Sequence, residues 1–120
     1  MAIEFVDQSI DEIWEQITRL MNEHPEPHQD SECVYQFDLS GEMSGTYQLI
    51  LNKGKVSVEQ GSPYSSECRL IMDFNEFKQL LFGQLNSTMA YMMGKIKVDG
   101  SLGLALKLET LLKKYKEFSC

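Results

Sequence analysis

The chain has 120 residues, 42% of them hydrophobic and 24% charged, which describes one ordinary globular domain with its own core rather than a disordered or fibrous segment. Its formal charge of −7 argues against nucleic acid and anionic membrane surfaces as partners, because both reward clustered Lys and Arg. No stretch approaches the ~20 apolar residues that cross a bilayer, so stable membrane insertion is not expected.

The charge is unevenly placed. Before Lys53 the basic side chain is Arg19, set against eleven Asp and Glu from Glu4 to Glu42; from Lys53 onward the balance is mildly basic and ends in Lys107, Lys113, Lys114 and Lys116. This reads as a solvated acidic face, with a sharper alternative in which the basic C-terminal helix meets an acidic partner or lipid headgroups. Cys33, Cys68 and Cys120 are odd in number and lack motif spacing, which argues against a disulfide framework. The first residues carry neither a basic region nor an apolar run of signal-peptide length. A cytoplasmic or otherwise reducing location is expected.

Ser9 and Glu12 form a capping box that opens a helix, with Ile10, Ile13, Trp14, Ile17, Leu20 and Met21 on one face. His24-Pro25 ends it, and the segment to Asp30 reads as an exposed polar loop. From Cys33 the period becomes two: Cys33, Tyr35, Phe37 and Leu39, then Tyr47, Leu49 and Leu51 beyond a turn at Gly41 to Gly45. Asn52-Lys53-Gly54-Lys55 returns the chain into Val56 and Val58, and Cys68, Leu70 and Met72 make a fourth strand. This is hairpin grammar and predicts antiparallel pairing.

Asp73 caps a helix carrying Phe74, Phe77, Leu80, Leu81 and Leu85, with Gly83 as stop or kink. A short helix from Asn86 or Ser87 carries Met89, Tyr91, Met92 and Met93 to Gly94. Ile96 and Val98 form a fifth strand, and Asp99-Gly100-Ser101 turns into a last helix rich in leucine from Leu102 to Leu112. Strands segregated from helices argue for an α+β fold, with helices on one face of an antiparallel sheet. The whole of 1–120 reads as a single domain.

Catalytic chemistry is hard to assemble from these residues. His24 and His28 are the histidines; the prolines at 25 and 27 deny them a common helical face, and no third histidine completes a zinc site. Neither a metal site nor a cofactor is expected. A serine or cysteine nucleophile would need its base from that same loop. Gly41 to Gly45 and Gly94 to Gly103 match no phosphate or dinucleotide motif. What remains is an excess of soft apolar side chains: Met89, Met92 and Met93 near Met72 and the Phe77/Leu81 helix, and Leu102, Leu104, Leu106 and Leu108, more than one stripe needs. They are either plain core or the lining of an apolar cavity.

Three blocks carry a resemblance: Gly54-Lys55-Val56, Cys68-Arg69-Leu70-Ile71-Met72-Asp73-Phe74-Asn75-Glu76-Phe77 with Gly83-Gln84-Leu85-Asn86, and above all Ala90-Tyr91-Met92-Met93-Gly94-Lys95-Ile96-Lys97-Val98-Asp99-Gly100. From about Val34 to Leu112 the chain resembles the sterol carrier protein family, in particular its small type-two nonspecific lipid-transfer domain. The resemblance implies a five-stranded, largely antiparallel sheet with helices covering one face and an apolar tunnel between. It further implies non-enzymatic binding of a lipid-like small molecule: a fatty acid, acyl-CoA, sterol or phospholipid. Phe77, Leu81, Met89, Met92, Met93, Leu104, Leu108, Leu111 and Leu112 are expected to line or lid that space, with Lys95, Lys97 and Lys107 as candidates to hold a headgroup. Ser101 stands where family members often carry Asp, and the ending Phe118-Ser119-Cys120 is no peroxisomal tripeptide. The alternative reading is a protein-interaction or dimerisation module built on the leucine-rich C-terminal helix; a monomer or weak homodimer is expected.

Overall fold

The computed structural model describes residues 10–41, 44–81 and 86–118. The chain runs α1 (Ile10–Glu23), β1 (Glu32–Ser40), β2 (Gly45–Asn52), β3 (Lys55–Gln60), β4 (Cys68–Asp73), α2 (Phe74–Leu81), α3 (Ser87–Met92), β5 (Lys97–Gly100) and α4 (Leu102–Phe118). This is the expected order of helix, four strands, two helices, strand and helix. The predicted cap Ser9, Leu85, and the stop at Gly83 lie outside the described residues.

Local chemistry sets the helix starts. Asp73 Oδ1 accepts from the Glu76 N–H at 2.8 Å, Asn86 Oδ1 from the Met89 N–H at 3.0 Å and Ser101 Oγ from the Leu104 N–H at 3.1 Å. Each satisfies one of the donors a helix start leaves without a partner.

The five strands form one sheet in the order β3-β2-β1-β4-β5. Three pairings are antiparallel, and the central one, β1 with β4, is parallel. The antiparallel expectation therefore needs one amendment, and the segment between β3 and β4 supplies the reason. After β3 the chain does not turn back on itself. It crosses the sheet face opposite the helices and enters β4 on the far side of β1. Gln48, fully buried on that face, clamps the crossover: its Nε2 donates to the Tyr64 carbonyl at 2.7 Å, and its Oε1 accepts from the Tyr64 N–H at 3.1 Å. Farther along, the Glu67 N–H donates to the Val34 carbonyl at 3.1 Å, and Glu67 Oε2 accepts from the Val34 N–H at 2.6 Å. Beside this point Gly100 has φ +109°, and a Cβ there would lie 2.5 Å from the Glu67 carbonyl oxygen. Only glycine fits so close an approach.

On the other face Tyr35, Phe37, Leu39, Tyr47, Leu49, Leu70 and Met72 are buried beneath the helices, as the period-two pattern requires. The register sets Phe37 between Tyr47 and Leu70. α1 lowers Trp14 onto this surface, with ring centroids 5.3 Å from Phe37, 5.8 Å from Tyr47 and 5.0 Å from Phe77. Each such burial contributes on the order of 1.5–3 kcal/mol, so this aromatic cluster anchors α1 and α2 to the sheet.

The His24–Asp30 segment departs from the exposed loop expected of it. Glu26–His28 makes one 3-10 turn, closed by the His28 N–H on the Pro25 carbonyl at 3.0 Å, and it carries the His28 ring inward to 1% exposure. There Nε2 lies 2.8 Å from the Met21 carbonyl oxygen, and the ring packs 6.1 Å from that of Tyr115. Tyr115 Oη donates to the His24 carbonyl. The turn thus fastens the end of α4 to the end of α1.

Candidate functional site

The apolar side chains that the core does not absorb gather at one end of the molecule. α3 is six residues long and buries Ala90 beneath it. Thr88, Met89, Tyr91 and Met92 all remain exposed. A helix seated on so small a side chain leaves space under its flank. That space is a cavity of about 290 Å³. Leu70 and Met72 of β4 and Val98 of β5 form its floor, and Ile96 and Leu80 close its inner side. Thr88, Tyr91 and Met92 of α3 face Leu102, Ala105 and Leu106 of α4 across the mouth. Polar chemistry is confined to the Thr88 hydroxyl and the Tyr91 phenol. At the opening Met92 is 80% exposed, and Leu102 and Leu106 are each nearly half exposed; Met89 and Met93, near Met92 in the chain, are exposed too. Contiguous apolar surface of this kind on a small domain marks a site of interaction.

Two tethers fix the rotation of α4. Tyr35 Oη donates to the Leu104 carbonyl at 2.9 Å, and Tyr115 makes the bond to His24 already described. Leu108, Leu112 and Tyr115 therefore point into the core, with Leu104 packed partly buried against it. Leu102, Ala105 and Leu106 fall on one flank of this buried stripe, beside the cavity. Lys107, Thr110, Leu111 and Lys114 fall on the other flank and border a second, smaller cavity.

Residues 15–113 match the SCP-2 sterol transfer family. The chain belongs to this family. Hydroxysteroid dehydrogenase-like protein 2 of Xenopus tropicalis is 40% identical over 104 residues, covering 86% of this chain and 24% of that relative; the chain thus spans a quarter or less of the length of the curated relatives it matches. Among solved structures, sterol carrier protein domain 2 of Helicoverpa armigera superposes with a TM-score of 0.74 at 21% identity, covering 98% of this chain and 95% of that one. Palmitated SCP2L2 of Aedes aegypti superposes with a TM-score of 0.68 at 21% identity, covering 88% and 95%. At these identities the structures establish a shared fold, the SCP-2 arrangement of sheet and covering helices.

Of the nine residues expected at an SCP-2 cavity, Met92 lines it. Met89 of α3 and Met93 just beyond it are exposed and do not line it. Phe77, Leu81, Leu108 and Leu112 are buried core, Leu104 packs against that core, and Leu111 borders the second cavity. Of the headgroup candidates, Lys95 and Lys97 are exposed near β5, whereas Lys107 lies on the far flank of α4. The lining residues that sequence reasoning passed over had left a signal. Leu70 and Met72 alternate in register on the covered face, and Leu102 and Leu106 are the half of the leucine surplus that no core stripe accounts for.

The Cys33 and Cys68 thiols are poor nucleophiles. Burial, and then the neighbouring Cys33, pushes the Cys68 thiol up to about 11. Burial also raises Cys33, against the pull of its hydrogen bond with Tyr35. A thiol held protonated at neutral pH is not the reactive form. Among the described residues no group of three or more His, Cys, Asp and Glu could hold a metal ion, and no described helix is long and apolar enough to cross a membrane.

Proposed function

We infer that this chain binds and carries a lipid-like molecule without chemical change, burying an acyl chain or ring system in the cavity between α3, α4 and the β4–β5 edge. The observation that carries this reading is a cavity of about 290 Å³ with an almost wholly apolar lining and an apolar rim. It is roughly twice the ~150 Å³ that accepts benzene, room for on the order of a dozen carbon atoms. At about 0.8 kcal/mol per buried methylene that is roughly 10 kcal/mol gross, before ordering costs. Membership of the SCP-2 sterol transfer family and the likeness to a palmitated protein support the same class of ligand: fatty acid, acyl-CoA, sterol or phospholipid. The raised thiols favour a non-enzymatic role, and the dehydrogenase named in the longer relatives is not carried over to this quarter of their length. A reducing, cytoplasmic setting is proposed from the unpaired Cys33 and Cys68.

Native mass spectrometry of freshly purified protein tests the reading. An added mass of lipid size, lost on organic extraction, is the expected result. A clean apo protein that also fails to take up a fluorescent fatty acid would sink it. The exposed methionine and leucine rim favours a second reading, a seat for another copy of the chain. Sedimentation of the delipidated protein separates the two: the carrier reading expects a monomer, the interaction reading a dimer broken by Leu106→Glu.

A further inference from the structure

The second cavity differs in kind from the first. It holds about 200 Å³ between the 3-10 turn, the start of β1 with the end of β2, and the C-terminal half of α4. Its floor is apolar: Tyr35, Leu51 and Leu111, all buried. Its rim is not. Lys107 and Lys114 stand two turns apart on α4 with the Thr110 hydroxyl between them, and buried Ser31 faces them from the β1 side. Neither lysine forms an ion pair with a described residue, although Lys113 beside them pairs with Glu109. No carboxylate is among the described lining residues. Two ammonium groups without ion pairs to described residues thus stand over an apolar floor. Their spacing along the helix is roughly 10 Å, a gap that flexible four-carbon stems can close on a single anionic group. The buried stripe of Leu104, Leu108 and Leu112 stands as a wall between the two cavities, so an occupant of one need not touch the other.

We propose that this second cavity is a distinct binding site for a phosphate- or carboxylate-bearing ligand, with the anion between Lys107 and Lys114 and its adjoining apolar segment on Tyr35, Leu51 and Leu111. The site stands independently of the apolar cavity. The lysines supply charge-assisted hydrogen bonds, Ser31 supplies a hydroxyl, the Thr110 hydroxyl is already spent on the Leu106 carbonyl at 3.1 Å, and the apolar floor discriminates an amphiphile from a bare ion.

Amide-resolved NMR titration of the whole chain with octyl phosphate, and in parallel with inorganic phosphate, tests the proposal. Octyl phosphate is expected to shift the Ser31, Thr110 and Leu111 amides saturably. The Lys107→Gln/Lys114→Gln variant, which changes exposed side chains only, is expected to bind about tenfold more weakly or worse, and added salt to weaken binding in the parent chain. A saturable response to octyl phosphate alone upholds the site and assigns it to lipid-like amphiphiles; an equal response to inorganic phosphate shows that the apolar floor contributes nothing and overturns the proposal. No saturable shift at these three residues, or a shift that the double variant leaves unchanged, overturns the proposal. The amides of Met92, Leu102 and Leu106 report the first cavity in the same spectra. Titration with 1-octanol therefore tests the carrier reading separately, and either site can fail while the other stands.

Discussion

The two ends of the helical layer solve the same packing problem differently. Under α1 and the start of α2, the rings of Trp14, Phe37, Tyr47 and Phe77 meet edge-on or tilted at 5.0 to 5.8 Å and pack against one another, an open polar groove beside Trp14 and Tyr47 lying on their α1–β3 side. Under α3, a helix of six residues buries one alanine and leaves a cavity bounded by leucine, methionine and valine. Both lie on the same face of the same sheet. Rigid aromatic planes interlock to crystal-like density, whereas flexible thioether and aliphatic side chains on a lightly held helix adapt to whatever enters. The first end supplies the stability that lets the second remain unfilled.

Removing the centre of the filled end has the largest expected effect. Trp14→Ala should cost on the order of 3–5 kcal/mol, measured by urea denaturation, and lipid bound per folded molecule should not change. A loss of less than about 1 kcal/mol would erase the contrast between the two ends.

Alkaline pH probes the buried β4 strand next. The Cys68 thiol is held at about 11 against an ordinary 9.0. The folded chain keeps its proton longer than the unfolded chain, so this stabilisation is fully present below pH 9 and is lost as pH rises through 11. The amount is on the order of 3 kcal/mol. Tyr35 and Tyr115, both raised by burial, add to the decline in the same direction. Cys68→Ala should flatten the curve of stability against pH between 9 and 11; an unchanged slope would place the titration elsewhere.

Filling the open end is a gentler test. Ala105→Leu pushes a larger side chain into the lining. It should lower affinity for a fluorescent fatty acid about tenfold, equivalent to roughly 1.4 kcal/mol, while the Tm holds or rises. A drop in Tm with affinity unchanged would mean that Ala105 is plain core. Smallest of all is Met92→Ser at the rim. It should alter stability by no more than about 0.5 kcal/mol yet slow ligand uptake, read by stopped-flow fluorescence.

The legibility of these two ends was unequal. Trp14, Ile17 and Met21 could be assigned to a buried helical face, and Tyr35, Phe37, Tyr47, Leu49, Leu70 and Met72 to one sheet face. Periodicity of 3.6 or 2 is a property of neighbouring residues alone. The strand order and the parallel β1–β4 pair were not legible in that way. They depend on where the chain from 61 to 67 crosses, and Gln48 settles this through bonds to a residue 16 positions away.

The cavity itself lay between these cases. That methionine and leucine near Met89–Leu112 exceed one buried stripe is plain from the chain, and the Ala90–Gly100 block was enough to suggest a sterol-carrier-like domain. Which of those side chains face the space was decided elsewhere. α4 carries apolar groups around more than half its circumference, so its own pattern admits several rotations. The bonds from Tyr35 to Leu104 and from Tyr115 to His24 select the one that buries Leu108 and turns Leu102 and Leu106 to the opening. The amino-acid sequence by itself determined the four α-helices and five strands, the caps at Asp73, Asn86 and Ser101, and the apolar faces, because those follow from contacts within a few residues. Only the tertiary structure decided which apolar residues became core and which became cavity wall, and which flank of α4 its lysines occupy, because a helix's rotation is set by partners far away along the chain.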